Sequence, residues 1–191
     1  MIKFGIRQSF DEICQVEERY ANLNVPVEVA LPYYWDIYEP VRRHLAKIAE
    51  KIKSYGTQVL SLHAVQAAIT DEKFKIWGKE IAEFAKALGV SSITLHPNNV
   101  NKNNNIQERA LRNLEYFADL YNGEVIFCIE TFEGKRRVFT PDETISLNLP
   151  MTLDTSHIRD NEKIWSLLKG YKANILNVHL SAKEGLKHIF L

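Results

Sequence analysis

Pro150-Met-Thr-Leu-Asp-Thr-Ser-His157 decides the fold. A short apolar run ends on a carboxylate, and a histidine follows three residues later. In α/β folds the C-terminal end of a strand is where chemistry is kept. Asp-x-x-His alone is a common pattern. Here four other segments repeat its layout: Val59-Leu-Ser-Leu-His63, Ile93-Thr-Leu-His96, Val125-Ile-Phe-Cys-Ile-Glu130 and Ile175-Leu-Asn-Val-His179. Five strand-like runs therefore each end on a residue able to bind a metal.

The strand-end residues His63, His96, Glu130, Asp154 and His179 follow one another at intervals of 33, 34, 24 and 25 positions. Each interval holds one strand, one helix and two loops, the unit of a (β/α) barrel. Strict alternation predicts a parallel sheet with helical crossovers. A doubly wound sheet is the alternative, but ligands ending five successive strands favour a ring in which every strand end faces one site.

Side-chain parity supports the ring. Two positions before each strand-end residue, on the same face, lie Ser61, Thr94, Cys128, Thr152 and Asn177, all small or polar. Between them lie Leu62, Leu95, Ile129, Leu153 and Val178, all apolar and expected under the helices. An ordinary parallel strand is apolar on both faces. Here one face is consistently polar, and it carries the histidines and carboxylates. Converging in a barrel mouth, those groups would be costly to leave unpaired, and a divalent ion removes that cost. A mixed imidazole and carboxylate shell suits Zn²⁺, Mn²⁺ or Fe²⁺.

Seven strands are expected, over residues 2–6, 25–31 (carrying Glu28), 58–63, 91–96, 124–130, 151–154 and 174–179. Ser9-Phe-Asp-Glu12 has the form of a capping box opening a helix to about residue 23. A second helix, 38–55, carries Val41, Leu45, Ile48 and Ile52 and stops at Gly56; His44 lies off its apolar stripe, on the solvated side. A third, 71–88, buries Phe74, Trp77, Ile81, Phe84 and Leu88 and ends at Gly89. After the Asn-rich loop 98–105 comes a helix presenting Ile106, Ala110, Leu114, Phe117 and Tyr121, ended by Gly123. Thr140-Pro-Asp-Glu143 is a second capping box with proline at its first helical position. A last helix covers about 161–168.

Composition agrees with one globular domain spanning 1–191, at 46% hydrophobic and 25% charged residues. The opening Met1-Ile-Lys-Phe-Gly-Ile6 reads as a strand rather than a signal peptide, and no run is long and apolar enough for a membrane span. A cytoplasmic protein with no membrane partner is expected. Cys14 and Cys128 fall on a helix and in a core strand, so no disulfide is expected. The net charge of zero withholds the broad basic field of a dedicated nucleic-acid binder. Tyr33, Tyr34 and Trp35 follow the second strand on the same face as the ligands, where they suit either the wall of a sugar or base site or packing beneath the neighbouring loop. Lys135-Arg-Arg137 follows Glu130 on that rim; such a run is usually a solvated loop, and on this face it also suits a phosphate.

At Ser61-Leu-His63, Leu95-His-Pro97, Ile129-Glu-Thr131, Leu153-Asp-Thr-Ser-His157 and Val178-His-Leu-Ser181 the chain resembles the xylose isomerase-like TIM barrels. That superfamily holds sugar isomerases and epimerases together with endonuclease IV. The resemblance implies Glu130, Asp154 and His179 as the shared metal ligands, and His63, His96 and His157 as ligands of the extra zinc ions of the endonuclease branch. In isomerase relatives the histidine of Asp-x-x-His touches substrate, so Glu130 and His157 become the catalytic pair. Lys187-His188 resembles the start of the next family loop, which adds His188 to the substrate-binding set of His157, Trp35, Lys135 and Arg137.

The chain also departs from the family pattern. Leu186 stands where the endonuclease branch has Asp, Ala182 where the family commonly has Asp, and an eighth strand with its Glu ligand is not found, whereas a full barrel takes about 250 residues. The sequence therefore leads to an incomplete barrel, with Leu176 and Val178 facing water unless a second copy of the chain or the tail 186–191 covers them. A piece of a longer barrel is the competing explanation. The expected function is a metal-dependent isomerase or epimerase of a small sugar or sugar phosphate, with Zn or Mn as cofactor. The alternatives are an endonuclease IV-like zinc phosphodiesterase on abasic DNA and a non-catalytic barrel.

Overall fold

The computed structural model of the chain describes residues 5–9, 25–31, 45–64, 68–98, 100–184 and 187–190. The expected helix opened at 9–12, Cys14, the aromatics Tyr33, Tyr34 and Trp35, His44 and Leu186 fall outside these residues, apart from the backbone of Ser9.

Seven parallel strands form one sheet in sequence order: β1 (Ile6–Ser9), β2 (Val27–Ala30), β3 (Val59–Ala64), β4 (Ser92–Leu95), β5 (Ile126–Glu130), β6 (Met151–Asp154) and β7 (Ile175–His179). Consecutive order with helical crossovers curls the sheet into an incomplete TIM barrel, whose two edges are β1 and β7. The curl is visible in contacts across non-adjacent strands. Thr94 Oγ1 on β4 lies 2.8 Å from Thr152 Oγ1 on β6, and Ser92 Oγ donates to Asn177 Oδ1 on β7 at 3.3 Å. These are small polar residues of the inner face, meeting across the barrel interior.

The described helices are α1 (Leu45–Ser54), α2 (Phe74–Leu88), α3 (Asn104–Tyr121), α4 (Pro141–Ser146) and α5 (Asn161–Gly170). They cover the outer faces of β3 to β6, so Leu62, Leu95, Ile129 and Leu153 are all within 1% of full burial. An aromatic cluster joins Phe74 of α2, Phe117 of α3 and Phe127 of β5, with ring centroids 5.0–5.8 Å apart. Gly89 ends α2 at a φ of 74°, a left-handed turn that glycine takes without strain.

Four sequence readings are corrected. β1 runs over Ile6–Ser9, past the expected end at residue 6, because Arg7 and Gln8 are polar yet pair with Glu28 and Val29 of β2; residues 2–4 of the expected strand lie outside the described residues. The Asn-rich loop ends at Asn103, whose side chain accepts the Ile106 amide and caps α3. At the other end of α3 the left-handed cap is Asn122, one residue before Gly123. The tail does not cover the outer face of β7: residues 181–184 (β8, Ser181–Glu184) and 187–190 (β9, Lys187–Phe190) pair with each other as an antiparallel hairpin. Leu176 and Val178 remain 44% exposed. Among the described residues no helix is long and apolar enough to cross a membrane.

Candidate metal centre

Parallel strands of matched register bring five strand-end side chains to one mouth. His63 lies on β3, His96 directly follows β4, and Glu130, Asp154 and His179 are the last residues of β5, β6 and β7. Their imidazoles gather closely, with the His63 ring 5.0 Å from His96 and 5.1 Å from His179. Glu130 is the hub. Its Oε1 lies 2.8 Å from His179 Nδ1, and its Oε2 lies 2.6 Å from His96 Nε2 and 3.6 Å from His63 Nε2.

Asp154 is oriented by its own turn. A single 3-10 turn, Thr155–His157, begins there, and Asp154 Oδ1 accepts from Ser156 N and Ser156 Oγ, both at 2.7 Å. Oδ2 then faces His179 Nδ1 at 3.7 Å and His157 Nδ1 at 3.6 Å. A threonine after each carboxylate locks the next strand end. Thr131 Oγ1 accepts the Asp154 amide at 2.9 Å, and Thr155 Oγ1 donates to the His179 carbonyl at 3.2 Å. The pairs Glu130-Thr131 and Asp154-Thr155 thus tie three neighbouring ligand strands in register.

Glu28 is the site residue that sequence reasoning did not assign. It is buried on β2, accepts from Ser61 Oγ at 2.6 Å, and places Oε2 3.0 Å from His179 Nε2 and Oε1 3.3 Å from His63 Nδ1. The available signal was a carboxylate flanked by Val27 and Val29, which a strand tolerates only when it faces a polar interior.

The charges are strongly coupled. Burial alone would raise the carboxyl of Glu130, yet His179, His63 and His96 hold it well below the usual range; Glu28 is likewise held far down by His179 and His63. Asp154 is lowered by His179 and Ser156 against its burial. Burial works to lower His179, but Asp154, Glu130 and Glu28 together raise it to about 11. For His96 burial outweighs the pull of Glu130, and its affinity for a proton falls.

A divalent ion fits these residues. The His63 side chain is fully buried with neither ring nitrogen in a hydrogen bond, and Glu130 Oε2 is also without one despite its close approach to His96. Buried polar atoms left this way cost roughly 1–3 kcal/mol each. Three trios have donor atoms within 4.8 Å of one another: Glu28, His63 and His179; His63, His96 and Glu130; and Glu130, Asp154 and His157.

The rim carries the other expected groups unevenly. The Phe132 ring stacks on His157 at 3.6 Å and meets His96 at 4.8 Å, and the Arg137 guanidinium lies 4.4 Å from the centre of the Phe132 ring. Arg137 is therefore held at the mouth, whereas Lys135 stands exposed on the loop. His188 sits on β9 opposite Lys183; its side chain, like the whole of Trp35, lies outside the described residues.

No protein-family model matches the sequence, and no curated protein matches it. Solved structures do match the fold. The IolI protein with a bound zinc atom superposes at a TM-score of 0.69 and 18% identity, over 98% of this chain and 76% of that one. The 3-keto-D-glucoside 4-epimerase YcjR from E. coli gives 0.68 and 11% identity, over 94% of this chain and 78% of that one. Endonuclease IV from Thermus thermophilus gives 0.52 and 17%, over 94% and 76%. At these identities the likeness is one of fold: the chain is an incomplete TIM barrel.

Proposed function

We propose that this chain is a divalent-metal-dependent isomerase or epimerase of a small sugar or sugar phosphate. The observation that carries the reading is the meeting of Glu130, Asp154 and His179 at three neighbouring strand ends, beside a buried His63 whose ring nitrogens lack hydrogen bonds. The fold likeness to an epimerase and to a zinc-binding protein supports it.

Glu130 Oε1, Asp154 Oδ2 and His179 Nδ1 would hold the ion, Zn²⁺ or Mn²⁺, which when bound polarises a substrate carbonyl and its neighbouring hydroxyl. Both carboxylates stay ionised through the neutral range, since each is held below its ordinary value. Glu130 can therefore accept a substrate proton. His157, partly buried at the rim with its face against Phe132, meets the substrate from the other side. Arg137, planar and stacked on Phe132, suits a bidentate grip on a phosphate.

A metal-dependent phosphodiesterase of the endonuclease IV kind is the second reading. One observation favours it: His63 and His96 both turn Nε2 toward Glu130 Oε2, and Glu130 belongs to two of the three trios. Metal content after purification without chelator, followed by assays on a panel of ketoses and on abasic DNA, tests both. Sugar conversion abolished by Glu130→Gln supports the first; strand scission without sugar conversion moves the assignment to the second. A zinc- and manganese-loaded protein inert in both assays rejects both.

A further inference from the structure

We infer that Glu28 is a positioning residue for the metal centre: it accepts a hydrogen bond from Nε2–H of His179 and thereby presents the opposite nitrogen, Nδ1, to the ion. The inference rests on the metal reading above and goes beyond its ligand set.

The argument is geometric. His179 has two ring nitrogens on opposite edges. Nδ1 faces Glu130 Oε1 at 2.8 Å and Asp154 Oδ2 at 3.7 Å, the two carboxylates at neighbouring strand ends. Nε2 faces only the far side of the barrel among the described residues, where Glu28 Oε2 stands at 3.0 Å. A neutral imidazole has one N–H and one lone pair, and the hydrogen bond at one nitrogen decides which nitrogen ligates. A carboxylate behind a metal-bound histidine is the usual device for this. Glu28 is itself fixed: it is buried on β2, and Ser61 Oγ donates to the same oxygen at 2.6 Å. Ser61 lies opposite Glu28 in the β2–β3 register, so the donor is set by the sheet rather than by a loop. The second oxygen of Glu28 lies 3.3 Å from His63 Nδ1, whereas His63 Nε2 faces Glu130. One carboxylate thus stands behind two imidazoles whose other nitrogens converge on Glu130. Leaving so buried a carboxylate without these donors would be costly, which is why β2 keeps it between Val27 and Val29.

The test is zinc affinity, measured by competition with a chromophoric chelator on folded, metal-free protein. Glu28→Ala is expected to weaken zinc binding roughly 10–100-fold, the span that partners behind a ligand carry. Glu28→Gln, whose amide oxygen still accepts from His179 Nε2, is expected to recover most of that loss. Two-bond proton–nitrogen correlation spectra of the unaltered zinc-loaded chain should show His179 protonated at Nε2 and metal-shifted at Nδ1. Should Glu28→Ala not fold, Glu28→Gln and these spectra still decide. Unchanged zinc affinity in folded Glu28→Ala, or His179 protonated at Nδ1 in the loaded chain, overturns the role of Glu28 and leaves the metal reading standing. An unaltered chain that binds no zinc overturns the metal reading and this inference with it.

Discussion

His179 Nδ1 and Glu130 Oε1 lie 2.8 Å apart although 49 positions separate them in sequence. They sit on β7 and β5, which are not neighbours, so only the curl of the sheet over β6 brings them together. An ion held between them links three strands at the open side of the barrel. Zinc at about 100 times its Kd should therefore add about 2.7 kcal/mol to stability. For a chain of this size that raises Tm by roughly 5–10 °C. Glu130→Gln should remove the shift, because its affinity loss, roughly 100-fold or more, exceeds what partners behind a ligand carry. Equal zinc-induced shifts in the unaltered and Glu130→Gln proteins, read by differential scanning calorimetry, would contradict the assignment.

The proton on His179 sets the pH dependence. Without metal its pKa is raised from 6.5 to about 11 by Asp154, Glu130 and Glu28 acting against burial. The stability it contributes to metal-free protein is complete below about pH 6.5 and is lost as the pH climbs through about 11. A ligating histidine must be neutral, so zinc has to displace that proton. Zinc affinity should therefore rise with pH from about 6 to about 8, and binding should release about one proton from this residue. Calorimetry in two buffers of different ionisation enthalpy measures the release; identical heats in both would contradict it.

The strand order and the polar inner face were legible because β3 to β7 repeat one pattern: alternating side chains ending on a histidine or carboxylate. Glu130, Asp154 and His179 stood out for the same reason. Glu28 did not, because it lies inside its strand, two residues before Ala30, which pairs with His63, so it breaks the strand-end rule. Arg7 was hidden similarly. Two polar residues weaken a strand signal, and only pairing with β2 shows that they belong to the sheet. The stacking of Arg137 on Phe132 depends on how a loop folds back, which no periodicity records.

Gly78 on α2 is a packing requirement. A Cβ there would lie 2.5 Å from Phe117 Cζ and 2.6 Å from Cε2. Phe117 is fully buried between Phe74 and Phe127 and has no room to retreat. Alanine would improve helix propensity by about 1 kcal/mol, but overpacking a filled core costs about 1–3 kcal/mol. Gly78→Ala should be net destabilising, seen as a lower urea midpoint at unchanged m-value. Adding Phe117→Leu should recover part of the loss. A midpoint at or above that of the unaltered chain would contradict the packing argument.

Glu143 fastens the rim that carries Phe132 and Arg137. Thr140 caps α4, and Glu143 reaches back to the Thr140 amide at 2.8 Å, completing the capping box. The same carboxylate takes Lys102 Nζ at 2.6 Å and Gln107 Nε2 at 3.3 Å, so the loop after β5 is tied to α3 and the segment before it. Backbone bonds from Val100 N to the Arg136 carbonyl and from Val138 N to the Asn98 carbonyl clamp the same two segments. Partial burial would raise the carboxyl, but Lys102, Thr140 and Gln107 pull it down to about 2. A depressed carboxyl contributes stability above its unfolded value, near 4.5, and that contribution is lost as pH falls toward about 2. The group is partly solvated, so the cap rather than the ion pair sets the size, about 1 kcal/mol. Glu143→Ala should therefore be less stable than the unaltered chain by about that amount at neutral pH. The gap should narrow steadily below pH 4.5 and close near about pH 2. Urea unfolding of both proteins at several pH values across that window measures it, and a gap that stays constant down to about pH 2.5 would show that the carboxylate's charge is not what holds the rim.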